Sequence, residues 1–227
     1  MSAPDYGRTF ALWRGGAGQT WQDYTHHSFV EGLRDGTLPR RSFLKYLAQD
    51  YVFLVHFARA WALGVIKAET HEEMRICAGT VDALVNLEMS LHVSICAEEG
   101  IDEATLHGAA EEIENLAYTR YVIDAGLQGD FIDLMAALAP CVMGYGEIGL
   151  RLAQDKADDT PYAAWIDTYA HPDYQAVCRD VGAMIDGAVA RRIGDLGTAP
   201  RAQAVQDRFT KATALEVGFW QMGLGPS

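Results

Sequence analysis

The sequence predicts an all-helical fold. Apolar residues recur with a period near 3.6 along most of the chain, Gly, Pro and Asp punctuate the segments, and no stretch shows the period-two alternation of a half-buried strand. A first helix is expected over about 6–14, a second over about 19–35 that stops at Gly36, and the Leu38-Pro39 step opens a third over about 40–68. The fourth covers about 71–99 and ends at Gly100. Ile101-Asp102-Glu103 restarts a short turn before a fifth helix over about 110–125, with Gly126 and Gly129 bracketing the next turn. A sixth helix, about 130–155, runs through Pro140; a short seventh covers about 161–169, an eighth about 172–193 and a ninth about 199–222. Every link is short and no Ser/Gly-rich linker or repeat interrupts the chain. Neighbouring helices are therefore expected to pack antiparallel in one compact multi-helix bundle, a single domain over 1–227.

A chain of 227 residues can bury a sizeable core. Its net charge of −13 and isoelectric point near 4.8 argue against a nucleic-acid partner, which requires clustered Lys and Arg. No apolar run approaches the roughly 18 residues that span a bilayer, and the opening Met1-Ser2-Ala3-Pro4-Asp5-Tyr6 lacks a basic segment followed by an apolar one, so a cytoplasmic protein without membrane contact is expected. Cys77, Cys96, Cys141 and Cys178 form no CxxC pair and no zinc spacing with the seven histidines; free thiols are expected, three of them as small buried apolar residues.

Cys141 differs by context. It follows Pro140 inside a long apolar helix, where a proline removes one N–H and clashes with the carbonyl four residues back, so the helix is expected to kink or open beside a thiol. Two further helices each set one acid in an aromatic stripe. Tyr46, Asp50, Phe53, Phe57 and Trp61 share one face, and Phe209, Thr213, Glu216, Phe219 and Trp220 share another. Either acid alone could be a core carboxylate bonded to a tyrosine, but two imply company. Desolvation raises the pKa of such a carboxyl, so it can stay protonated near neutral pH and donate to a ring nitrogen, as a general acid does.

Tyr145 lies one turn from Cys141 and is a candidate donor to the thiol, whose unperturbed pKa of about 8.5 leaves little thiolate at neutral pH. Gly144, Gly146 and Gly149 strip bulk from the same helix, either for close helix packing or for a ligand, and the sequence leaves both open. Tyr118 and Tyr121, with Tyr162, Trp165 and Tyr169, add hydroxyls and rings for a planar polar ligand. No GxGxxG or Walker loop supports nucleotide binding. Glu88 and His92 are four apart, but a di-iron bundle needs Glu-x-x-His pairs on two helices, so a surface or interhelix hydrogen bond is the preferred reading and no metal is expected.

Taken together, Gln49-Asp50-Tyr51-Val52-Phe53-Leu54, Leu138-Ala139-Pro140-Cys141 with Tyr145 and Glu147, Trp165-Ile166-Asp167-Thr168-Tyr169, and Glu216 with Phe219-Trp220 resemble the TenA family of thiaminase II enzymes. The opening Ser28-Phe29-Val30 and Leu33-Arg34-Asp35-Gly36-Thr37-Leu38-Pro39 extend the resemblance over nearly the whole chain. It implies a haem-oxygenase-like fold without haem, a homotetramer, no cofactor, and a pyrimidine or thiamin-derived substrate. The implied reaction hydrolyses 4-amino-5-aminomethyl-2-methylpyrimidine to the 5-hydroxymethyl compound and ammonia, and the same pocket can split thiamin. On this sequence the resemblance makes Cys141 the nucleophile and Glu216 the acid on the ring nitrogen. Asp50 would hold the amino group, Tyr118, Tyr145 and Tyr169 would line the pocket, and Phe53 and Phe219 would sandwich the ring.

Two departures stand out. Phe53 replaces a frequent Tyr, and Gly146 replaces an aromatic, leaving the pocket roomier or filled from another helix. Cys141 places the chain with the cysteine-bearing branch. The competing classes are a metal-dependent di-iron oxidase and a non-catalytic pyrimidine-binding protein on the same fold.

Overall fold

A computed structural model describes residues 3–225; Met1 and Ser2 of the opening stretch, and Pro226 and Ser227 at the other end of the expected domain, lie outside the described residues. Among them there is no strand. Twelve α-helices follow in order: α1 Arg8–Ala17, α2 Gln19–Thr25, α3 Ser28–Asp35, α4 Arg40–Lys67, α5 His71–Ala83, α6 Met89–Glu98, α7 Glu103–His107, α8 Ile113–Gln128, α9 Phe131–Asp155, α10 Ala163–Ala170, α11 Pro172–Arg192 and α12 Ala202–Leu224. A π-helical turn, Leu84–Glu88, joins α5 to α6.

Five differences from the sequence reading stand out, and local contacts explain four of them. The expected helix over about 19–35 breaks at His26-His27 because the His27 imidazole accepts the Phe29 N–H at 3.2 Å and caps a new helix. The short turn after Gly100 is α7, capped by Asp102, which accepts the Thr105 N–H at 2.8 Å. The fifth expected helix starts three residues late. The Gln49 side chain holds the preceding backbone open, donating to Ala110 O at 2.8 Å and accepting from Glu112 N at 3.0 Å. That helix also runs past Gly126, whose missing Cβ admits the Leu63 and Leu134 side chains. The π turn inside the expected fourth helix has no signal that we can name in the sequence.

The core is built around α9, which packs against α12, α10, α11 and α8. By length and composition α9 is apolar enough to cross a membrane, which corrects the expectation that no segment is, but it is almost wholly buried as the central rod of the bundle. Pro140 does not interrupt it: the helix is continuous through that residue, and the Pro140 carbonyl accepts the Tyr24 hydroxyl at 3.3 Å. The three glycines that follow serve packing. A Cβ on Gly144 would lie 2.2 Å from the Tyr24 ring, one on Gly146 2.7 Å from Cys178 Sγ and 2.8 Å from the Tyr6 hydroxyl, and one on Gly149 2.5 Å from the Tyr169 backbone. The room left at Gly146 is thus taken by Tyr6 and Cys178. Glu147 is structural as well, clamped by Arg14 at 2.6 Å and by the Trp21 indole N–H at 3.2 Å.

Candidate active site

One cavity of about 710 Å³ opens between α4, α5, the π turn, α9, α10 and α11. Asp50 from α4, Glu88 from the π turn, Cys141 and Tyr145 from α9, Tyr169 from α10 and Tyr174 from α11 supply much of its polar wall. The rest is chiefly aliphatic or aromatic, with Leu54, Phe57 and Leu84 among its residues. Four of the eight residues that the sequence singled out, Asp50, Cys141, Tyr145 and Tyr169, therefore line one space.

The other four form the layer behind. Glu216 on α12 is buried and accepts the Tyr118 hydroxyl at 2.8 Å. Phe53 stacks against Phe57 with ring centroids 5.1 Å apart, and touches Tyr118 at 5.0 Å and Phe219 at 5.5 Å. Phe53 and Phe219 rest on each other at 60°, so the slot expected between them is closed, and a ring enters it only if they part.

Asp50 is held from two sides. His92 Nε2 lies 2.7 Å from its Oδ2, and the Tyr46 hydroxyl donates to the same oxygen at 3.2 Å. Tyr46 in turn accepts the Trp165 indole N–H at 3.3 Å and sits 3.4 Å from the Tyr145 hydroxyl. The Tyr145 hydroxyl thus adjoins the Asp50 network through Tyr46. The second nitrogen of His92, Nδ1, lies 2.8 Å from the Glu88 backbone carbonyl, so both ring nitrogens are engaged; His92 is buried and this i, i+4 contact is made to the backbone, not the surface or interhelix hydrogen bond that the sequence reading preferred. The Glu88 side chain points elsewhere and accepts the Tyr169 hydroxyl at 3.0 Å.

These contacts set the charges. Burial works against a charged His92, but the Asp50 hydrogen bond and the negative charges of Asp50 and Glu88 outweigh it and push the imidazole up to about 9. Burial raises the Glu216 carboxyl to about 8, against the lowering effect of Tyr118 and with a small further push from Asp50. Burial raises Glu88 too, against the His92 charge and with a smaller push from Asp50. Cys141 lies well above the usual thiol range, through burial first and then the charges of Glu216, Glu88 and Asp50. At neutral pH the site thus holds a protonated His92, a largely neutral Glu216 and a thiol that needs a proton acceptor before it can attack.

Sequence reasoning did not assign Tyr46, Glu88, His92 or Tyr174 to this site. Tyr46 shares the stripe of Asp50 and Trp165 was already among the candidate rings, so their positions were visible but their mutual hydrogen bond was not. His92 had one usable signal, a lone histidine among Leu91, Val93 and Ile95. The Tyr174 hydroxyl donates to Val142 O at 3.1 Å, beside the thiol.

A helical bundle with a thiol and several buried acids around one internal cavity defines a small-molecule site on a haem-oxygenase-like scaffold. A domain of unknown function from Shewanella denitrificans, described as having a heme oxygenase-like fold, aligns at TM-score 0.71 and 14% identity over 98% of this chain and 93% of its own, which shows the shared fold. The TENA/THI-4/PQQC family model matches residues 17–225, and the chain belongs to that family. A TenA family transcription regulator from a Silicibacter species is 57% identical with TM-score 0.95, covering 97% of this chain and 98% of its own. The aminopyrimidine aminohydrolase of Halalkalibacterium halodurans is 31% identical over 89% of this chain and 89% of its own.

Proposed function

We propose that this protein is an aminopyrimidine aminohydrolase of thiamin salvage. Its substrate is 4-amino-5-aminomethyl-2-methylpyrimidine, and thiamin is a second substrate through the same methylene. The observation that carries the reading is that Asp50, Glu88 and Cys141, from three different elements, line one cavity large enough for a substituted pyrimidine, with Glu216 behind it near enough for its charge to act on the thiol. Relatives named aminopyrimidine aminohydrolase over most of the chain support the same chemistry.

In this mechanism Asp50, oriented by His92 and Tyr46, accepts the pyrimidine amino group. Glu216 gives its proton to the ring nitrogen, which makes the adjacent carbon electrophilic, and the Cys141 sulfur bonds to that carbon while the thiol proton returns to the Glu216 carboxylate. The electron-rich adduct expels the amine, water captures the exocyclic methylene, and loss of sulfur restores the aromatic ring. Tyr118 steadies Glu216, and Phe53 and Phe219 part to take the ring between them.

The protein acts in the cytoplasm as a homotetramer, an assembly consistent with apolar side chains left exposed, Ile66, Ile113 and Leu127 among them. Its net charge of −13 disfavours DNA as a partner, although the similar Silicibacter protein is described as a transcription regulator. Steady-state hydrolysis of both compounds by wild type and Cys141→Ser tests the reading. Loss of turnover in a folded variant supports it, and an unchanged rate ends the cysteine mechanism.

A further inference from the structure

We propose that Glu88 binds the amine that departs from the substrate, and so selects pyrimidines whose 5-methylene carries a protonated amine. The inference rests on the roles just given to Asp50, Cys141 and Glu216, none of which touches the leaving group. The pyrimidine ring fixes the order of its partners. Asp50 takes the amino group on one neighbour of the substituted carbon, Cys141 attacks the other neighbour, and Glu216 serves the nitrogen beyond it. The methylene substituent must then emerge between Asp50 and Cys141.

Glu88 suits that position. It lines the same cavity as Asp50 and Cys141, it feels the charge of Asp50, and its own charge is felt at Cys141. The π turn directs it there, and the Tyr169 hydroxyl fixes Oε1 at 3.0 Å. His92 makes its short ion-pair contact with Asp50 rather than with Glu88, so the Glu88 carboxylate in this wall can accept from an arriving ammonium group and be neutralised by it. The thiazolium of thiamin is also cationic but has no N–H to donate.

The chemistry balances around this carboxylate. The C–N electron pair leaves on nitrogen as neutral ammonia while ring electrons form the exocyclic double bond. A water molecule then forms the new C–O bond and gives its proton to Glu88, which passes it to the ammonia as ammonium leaves. One water is consumed, and one ammonium and one alcohol are released.

The test is calorimetric, in a Cys141→Ser background that stops turnover, with 4-amino-5-aminomethyl-2-methylpyrimidine and 4-amino-2,5-dimethylpyrimidine, which lacks only the amine. With Glu88 intact the aminomethyl compound should bind about 10- to 100-fold more tightly, the range of a charge-assisted hydrogen bond. Glu88→Gln should bring the ratio close to one. Glu88→Asp, which draws the carboxylate back by one methylene, should fall between, and it provides the reading if the Gln variant does not fold. An unchanged ratio in the folded variants, with the dimethyl compound still bound, overturns the role of Glu88 alone. Failure of both pyrimidines to bind overturns the functional reading as well.

Discussion

At the level of single residues, the site separates groups that hold the ring from groups that move protons. Asp50→Ala should weaken binding and turnover together, because it removes the amino-group acceptor and leaves His92 charged, buried and unpaired. Glu216→Gln should instead lower kcat by about 10²-fold or more with a smaller change in KM, as expected for a lost general acid. Equal and small effects from both would contradict the assignment. The pH profile gives a sharper reading. Glu216 must carry its proton to act, and burial holds its pKa at about 8, so kcat/KM should decline as pH rises through about 8, and Glu216→Gln should lose that limb. A wild-type profile flat from pH 7 to 9 would show that Glu216 does not supply the proton.

At the level of elements, the site depends on how α5, α9, α10 and α11 are held. Glu73 joins the first and last of these. It completes the capping box with Thr70 at the start of α5, and its carboxylate takes Arg192 at 2.7 Å as well as Arg191 from the end of α11. Burial opposes its charge, yet the two arginines and the backbone N–H of Glu69 hold its pKa down at about 2. The group is therefore more acidic folded than unfolded, so its contribution is complete above the unfolded value and is lost as pH falls from about 4.5 toward 2. Glu73→Ala strands a buried arginine and should cost about 3 kcal/mol, roughly 10 °C in melting temperature at neutral pH, with a much smaller deficit at pH 3. A deficit of the same size at both pH values would show that the loss is one of packing. Gly149→Ala probes the α9–α10 contact: a Cβ there meets the Tyr169 backbone at 2.5 Å, so overpacking should cost about 1–3 kcal/mol and displace Tyr169, lowering turnover as well. These elements were legible because periodicity and Gly/Pro punctuation are local. The π turn, the late start of α8 and the capping by His27 were not, since they are decided by Gln49, by an imidazole and by packing distant in sequence.

Across the whole molecule, the stripes of α4 and α12 and the apolar run of α9 were the ground for expecting a thiol and two acids to share one pocket, because a buried acid in an aromatic face has few places to go. Which side chains reach the cavity and which stand behind it was not readable, since that depends on how deeply each helix is set: Asp50 and Cys141 face the space, while Glu216 and Tyr118 pair behind it. The same arrangement has a thermodynamic consequence. A cavity of about 710 Å³ forgoes packing contacts that a filled core would have, and its wall includes acids whose charge is disfavoured by burial. A pyrimidine that docks on Asp50 and closes the aromatic layer should therefore stabilise the folded chain. At a product concentration of about 100 Kd, mass action alone gives about 2.7 kcal/mol, or roughly 5–10 °C for a chain of this size. Thermal melts with the 5-hydroxymethyl pyrimidine should show that shift in wild type and in Cys141→Ser, and lose most of it in Asp50→Ala. A shift that survives Asp50→Ala intact would place the ligand elsewhere on the bundle, and with it the chemistry assigned to this cavity.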